Sequence, residues 1–272
     1  MKFNPVLSTL AVCAFSALSL SSCSKKENVQ AKDAVSPEAL SQIHALGFTS
    51  DGAVKVDNGY LVEGDIFLSD ADLQSAPDRQ FLRVGDNEQY RTNNLVSVGS
   101  TTRTITIAVS STLPSAYVTA TDELIRRYNA EGLRLRFSRV SSGASITLTK
   151  APSGASYLAS AGFPTSGGNP HNQVLVNSTY LGSNPGTNYL ATILAHEVGH
   201  CIGFRHTDYA NRAFSCGGAY TNEGASTVGA VHIPGTPTAY NADGTSWMLA
   251  CIGTGANRPF NTNDRTALNY LY

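Results

Sequence analysis

The chain has 272 residues, 42% hydrophobic and 14% charged, with a formal net charge of -1. That length holds one globular domain of ordinary size plus a smaller appendage. The near-neutral balance argues against nucleic acid as a partner, because phosphate binding needs a clustered basic surface.

The N-terminus reads as an export segment. Lys2 gives a short positive start, and Pro5 to Leu20 is mostly apolar but too short and Ser-rich for a membrane span. The run ends in Leu20-Ser21-Ser22-Cys23, which resembles the lipobox of bacterial lipoproteins, where the cysteine is acylated after cleavage before it. The alternative is an ordinary secretory signal followed by an incidental cysteine. Of five cysteines, Cys13 and Cys23 belong to this segment. Cys201, Cys216 and Cys251 remain, and in a disulfide-permissive compartment they allow one bond with one thiol left over.

A polar tether follows to about residue 35. Ser36-Pro37-Glu38 is a helix start, with Leu40, Ile43 and Leu46 on one face and Gly47 as the stop. Val54–Val56 and Tyr60–Val62 flank the hairpin signal Asp57-Asn58-Gly59. A polar, charged stretch runs from Ser69 to Asn94. This region has too few apolar residues for a convincing core of its own and is expected to lean on the rest of the chain.

The main body is expected to begin near Val96. Thr104–Val109 is strand-like by alternation and β-branching. A helix from about Ser115 to Asn129 carries Tyr117, Ala120, Leu124 and Tyr128 on one stripe, with Gly132 just past its end. Leu133–Phe137, Ile146–Thr149 and Val174–Val176 read as strands, and Tyr157–Gly162 as a short edge strand. The order β-α-β-β-β-α implies an α+β fold, a mixed sheet with helices packed on it. Asn261 to Asp264 reads as a cap leading into a last helix that serves packing, with Ala267, Leu268 and Leu271.

The segment His196-Glu197-Val198-Gly199-His200-Cys201-Ile202-Gly203-Phe204-Arg205-His206 carries the chemistry. On a helix, His196 and His200 project from one face and can reach one Zn²⁺. Glu197 lies about 100° around the helix from His196, placed to flank the metal as a general base rather than bind it. Gly203 can end the helix with positive φ, letting the chain fold back and bring His206 to the third ligand position. An amphipathic helix with surface histidines is the bland alternative. His232 reads more readily as structural than as pocket-lining, and His171 and His44 as surface or hydrogen-bonded residues.

The pattern resembles the metzincins, whose motif HExxHxxGxxH is followed by a Met-containing turn. Ser246-Trp247-Met248 matches that turn, and Met248 would form the apolar floor beneath the metal. The form HEVGHCIGFRHTD is most similar to the bacterial protease B-like group, the dual-action metalloproteases. The resemblance covers roughly residues 96 to 272. It implies a twisted mixed sheet with a backing helix and an active-site helix, and an irregular C-terminal subdomain ending in a helix. Leu158 to Pro164 looks like the edge strand that pairs with substrate backbone, with a plain loop as the alternative. Several metzincins carry a tyrosine two residues after the methionine; Ala250 stands there, so that role is not carried over. For the thiols, Cys216–Cys251 is favoured because it would tie the loop after the third histidine to the Met-turn, and Cys201–Cys216 is the alternative. Val62-Glu63-Gly64-Asp65-Ile66 resembles a segment of astacin-type prosegments in which the aspartate binds the catalytic zinc, with valine replacing phenylalanine at the first place. The alternative is that Asp65 simply follows a hairpin strand.

The expectation is therefore a zinc endopeptidase, binding one Zn²⁺ through His196, His200 and His206, with Glu197 as base and protein or peptide substrates. The expected parts are a signal peptide (residues 1–22), a tether and prosegment (23–95) and a catalytic domain (96–272). It is expected to be a monomer held in the bacterial cell envelope by lipid at Cys23, at the outer membrane or surface, and released on activation by a cut between Ser69 and Val98. The competing expectations are a non-catalytic zinc-containing surface binder and a glycan-binding lipoprotein.

Overall fold

A computed structural model describes residues 34–46, 48–74, 89–238 and 244–272. All of them belong to one compact unit, Asp33–Tyr272. The expected signal peptide and lipidated Cys23, Gly47 and the His44 side chain lie outside what is described.

Helix α1 (Pro37–Ala45) buries Ala39 and Ile43. Strands β1 (Val54–Val56) and β2 (Gly59–Val62) form the expected hairpin, in which Val56 faces Gly59 and Asn58 takes φ 61°. A strand not foreseen from sequence follows, β3 (Ile66–Ser69), antiparallel to β2. Helix α2 (Asp70–Gln74) was also not foreseen. This region does own a small cluster: Ile43, Leu46, Phe48, Val62, Ile66, Leu68 and Leu73 pack together, with Phe163 and Val228 of the body closing it.

Strand β4 (Tyr90–Arg91) is stitched into the body ahead of the expected boundary at Val96. Thr92 N–H donates to the Gly203 carbonyl at 2.8 Å, and Arg205 N–H to the Tyr90 carbonyl at 2.9 Å. Then come β5 (Arg103–Val109), α3 (Ser115–Ala130), β6 (Leu135–Arg139), β7 (Ile146–Lys150), β8 (Ala159–Ala161) and β9 (Gln173–Val176). The chain continues through α4 (Ser178–Leu181), α5 (Thr187–Ile202), α6 (Ala213–Cys216), β10 (Val231–His232) and α7 (Thr262–Leu271).

Eight strands form one mixed sheet in the order β1-β2-β3-β8-β9-β7-β5-β6, and β10 pairs with β4 apart from it. The expected stripe of α3 (Tyr117, Ala120, Leu124, Tyr128) is buried in one core with Ile105, Ile107, Leu135 and Leu148 of the sheet and Leu194 and Val198 of α5. Tyr128 donates its hydroxyl to the Ala195 carbonyl at 2.8 Å, fixing α3 against α5.

One expectation is corrected. Residues 159–161 are a strand but not an edge: β3 covers β8 in parallel, with Ile66 opposite Ala161. The Ala161 N–H donates to the Asp65 carbonyl at 3.1 Å. A free edge here would present unpaired backbone groups, and β3 satisfies them.

Candidate metal centre

Helix α5 is buried along nearly its whole length, from Tyr189 to Ile202. Gly203 ends it at φ 117°, left-handed as expected, and an added Cβ there would lie 2.7 Å from Leu95. The chain then turns back, so His206 faces His200 and His196. Their Nε2 atoms converge: His200 to His196 is 3.1 Å and His200 to His206 is 3.2 Å. Asp65 reaches into the same point, its Oδ2 3.0 Å from His206 Nε2, 3.3 Å from His196 Nε2 and 4.0 Å from His200 Nε2.

The outer ring nitrogens decide the protonation. His196 Nδ1 donates to the Trp247 carbonyl at 2.9 Å and His200 Nδ1 to the Phe204 carbonyl at 2.8 Å. His206 Nδ1 donates to Glu223 Oε1 at 2.6 Å. With each Nδ1 carrying its proton outward, each neutral ring turns an Nε2 lone pair inward. Three inward nitrogens and a carboxylate oxygen then meet at one point, where a divalent ion, or a proton shared between His206 and Asp65, relieves the crowding of lone pairs. Bonds of about 2.0–2.1 Å to a tetrahedral ion put ligand atoms roughly 3.3 Å apart, close to four of these separations, while Asp65 to His200 is longer at 4.0 Å. The donor set fits a divalent metal.

Burial, then the charges of His196 and His206, hold His200 well below the usual histidine range. Burial works against a charged His206, yet the carboxylates of Asp65 and Glu223 lift it well above that range, a measure of how negative its surroundings are. Burial also opposes the Asp65 carboxylate, but His206 and His196 hold it well below its ordinary value. Glu197 is pushed well up, by burial first and then by Asp65, and its Oε2 has no hydrogen-bond partner.

The turn after the cluster is locked from three sides. Met248 is fully buried, and a Cβ added to Gly199 would lie 2.5 Å from its sulfur, so a larger residue there would displace the Met248 side chain. Thr207 N–H donates to the Met248 carbonyl at 2.8 Å. Asp208 accepts from Ala250 N–H at 2.9 Å and from the Ser215 hydroxyl at 2.6 Å. Asp264 accepts from the Ser246 hydroxyl at 2.7 Å and from Trp247 N–H at 3.2 Å, so the last helix, read as packing, also steadies the Met-turn. The structure joins Cys216 to Cys251, the favoured pairing, and leaves Cys201 a buried free thiol.

His232 lies away from the cluster, bonded to Thr236 at 3.0 Å, and His171 packs near Phe67. Sequence reasoning missed Glu223, Glu63, Arg205 and Arg212. Arg205 is fully buried between Glu63 at 3.3 Å and Glu223 at 3.5 Å, and Arg212 pairs with Glu223 at 3.3 Å and donates to the Glu63 carbonyl. Arg205 stands inside the motif itself, but nothing in its spacing shows which carboxylate it meets.

A family model described as dual-action HEIGH metallo-peptidase matches residues 61–272. No curated protein matches the chain. Two solved structures of myroilysin are similar to it. One is 16% identical, over 63% of this chain and 95% of that one, with a TM-score of 0.38. The other is 16% identical, over 64% and 86%, with a TM-score of 0.36.

Proposed function

The chain belongs to the dual-action HEIGH metallo-peptidases, and we propose that it is a zinc-dependent endopeptidase made as a lipid-anchored, self-blocked precursor. The observation that carries the zinc reading is the convergence of three Nε2 atoms whose Nδ1 protons are all committed outward. His196, His200 and His206 would hold the ion. Bound there, zinc supplies Lewis acidity, polarising the scissile carbonyl and making water a better nucleophile at neutral pH.

The remaining work falls to the protein. Glu197 lines the same cavity as His196 and would act as general base. Its carboxylate takes the proton of the attacking water and passes it to the leaving amine. Burial suits it to hold that proton between the two steps. Met248 and the turn around it give the ligands a rigid floor. With β3 removed, the backbone of β8 is free to pair with an extended substrate.

The blocked state rests on residues 61–69. Asp65 would take the position that water needs, removing the nucleophile. The family match begins at Leu61 and so includes Asp65. Backbone pairing on β8 and the buried Glu63–Arg205 pair hold the segment down. Gln89 is buried, donating to Asp264, and is thus part of the body. The activating cut would therefore fall between Ser69 and Gln89, upstream of β4. Because Cys23 lies on the far side of that cut, activation would also release the enzyme from its lipid.

The test is cleavage of an unfolded protein by the processed chain. Activity should be lost with a chelator and restored by zinc, and Glu197→Gln should keep its metal while turnover falls about 10²–10⁴-fold. Chelator-insensitive cleavage, or a near-normal rate in Glu197→Gln, would refute the mechanism.

A further inference from the structure

Beside Glu197 and His196 a cavity of about 230 Å³ opens. Leu158 and Ala159 wall it from the β8 side, Ile193 from α5, and Leu249 and Ile252 from the chain after the Met-turn. Among these apolar walls stand two basic groups, Arg258 and Arg212, with Asp65 and Glu197 at the end nearest the histidines. Arg258 is half-buried; its backbone N–H donates to Thr192 Oγ1 at 3.1 Å and its Nη1 to the Cys251 carbonyl at 2.8 Å. Arg212 is already engaged by Glu223 and the Glu63 carbonyl. Arg258 takes part in no ion pair among the described residues. Asp208 and Asp264 act on it only at longer range, and burial makes its charge harder to hold. A guanidinium partly out of water with one neutral acceptor keeps spare donors in a planar fork, the geometry that a carboxylate completes.

We propose that this cavity takes an acidic side chain, glutamate before aspartate, from the residue that follows the scissile bond, and that Arg258 is the specificity-determining residue. The inference rests on the peptidase reading above. Glu197 borders the cavity and hands its proton to the leaving nitrogen, and that nitrogen belongs to the residue following the bond. The side chain of that residue therefore has this cavity next to it. Glutamate is favoured because its methylenes can lie along Leu158, Ile193 and Leu249 while its carboxylate meets Arg258. Aspartate offers one methylene less to those walls. A basic side chain would place like charge against Arg258 in a partly dry pocket.

The test has two arms. In the first, full-length Asp65→Ala chain digests a reduced, unfolded protein of known sequence, and the new N-termini are read by mass spectrometry. Glutamate should head them several-fold above its abundance. Arg258→Gln should lose that enrichment, Arg258→Glu should move it toward lysine, and Arg258→Lys should keep a weaker form of it. The second arm needs no turnover: short peptides beginning with Glu or Gln are bound to the Asp65→Ala, Glu197→Gln chain and followed by fluorescence anisotropy. The Glu peptide should bind roughly tenfold tighter, as a charge-assisted hydrogen bond gives, and Arg258→Gln should erase the difference. Equal binding of the two peptides, or a glutamate preference that survives Arg258→Gln, overturns the proposal. Cleavage without glutamate preference sinks the pocket and spares the peptidase reading. A chain that never cleaves but still prefers the Glu peptide does the reverse.

Discussion

His206 differs from the other two histidines of the cluster in what holds its outer nitrogen. His196 and His200 donate to backbone carbonyls, whereas His206 donates to the fully buried carboxylate of Glu223. An anionic acceptor raises ring basicity and fixes orientation. Glu223→Gln should therefore keep the fold but weaken metal affinity about 10–100-fold, as measured by competition with a chromogenic chelator; unchanged affinity would mean that Glu223 only fills space. At this scale the sequence was most informative where contacts are local. His196 and His200 share a helix face, and one glycine accounts for the turn that returns His206. Glu223 was not legible because it meets His206 across 17 residues of irregular chain, where no periodicity constrains the encounter. Asp65 was legible only through its likeness to a known segment, since it crosses 141 residues to reach His206.

Among the elements, the long helices α3, α5 and α7 and the strands β5, β7 and β9 followed their patterns, and β6 runs two residues later than expected. The short β4, α4, α6 and β10 were not foreseen, because two to four residues show no period. Nor was strand β3: it has four residues, and its partner β8 lies about a hundred residues on. The pairing of α3 with α5, beyond its apolar stripe and Tyr128, also draws on a side chain that the sequence leaves unremarked. Arg127 is buried and donates to Glu123 at 2.9 Å, Thr192 Oγ1 at 3.1 Å and Asn257 Oδ1 at 2.9 Å, tying the backing helix to the active-site helix. Arg127→Ala should destabilise the protein by about 2–3 kcal/mol, since a charged donor is lost and buried acceptors are stranded; a urea midpoint with no shift would dismiss this role. Glu123 gives the same contact a pH signature. Arg126 and Arg127 pull its pKa down to about 2. A carboxylate with a depressed folded value adds stability that is full above its unfolded value and lost as pH falls through the folded one. The wild type should thus lose a small increment between about pH 4.5 and pH 2, and Glu123→Gln should lack that increment in the same pH series.

For the whole molecule, the sheet explains how a short N-terminal segment could restrain a protease. The hairpin β1–β2 and strand β3 continue the same sheet as the body, so the segment is built in rather than laid on top. Contacts of different kinds hold it, among them backbone pairing on β8, the Glu63–Arg205 ion pair, and Asp65 at the histidine cluster. They should not contribute alike. Losing Asp65 opens the metal position but leaves β3 across β8, so substrate backbone still has to compete for that strand. Losing Glu63 leaves Arg205 with Glu223 at 3.5 Å as its remaining carboxylate, and the weakened pairing of a buried charge falls on the body as well as on the segment. The expected order of activity in uncleaved precursor is therefore wild type lowest, Asp65→Ala partly active, and chain cut between Ser69 and Gln89 fully active. Glu63→Ala should show lowered stability before it shows activity. In cells, Cys23→Ser precursor should leave the membrane fraction while remaining latent, which separates anchoring from restraint. A fluorogenic peptide assay on each purified form, beside membrane fractionation of the cells, reads both. Equal latency of wild type and Asp65→Ala would exclude Asp65 as the plug, and Cys23→Ser chain that stays with the membrane would exclude the lipid anchor.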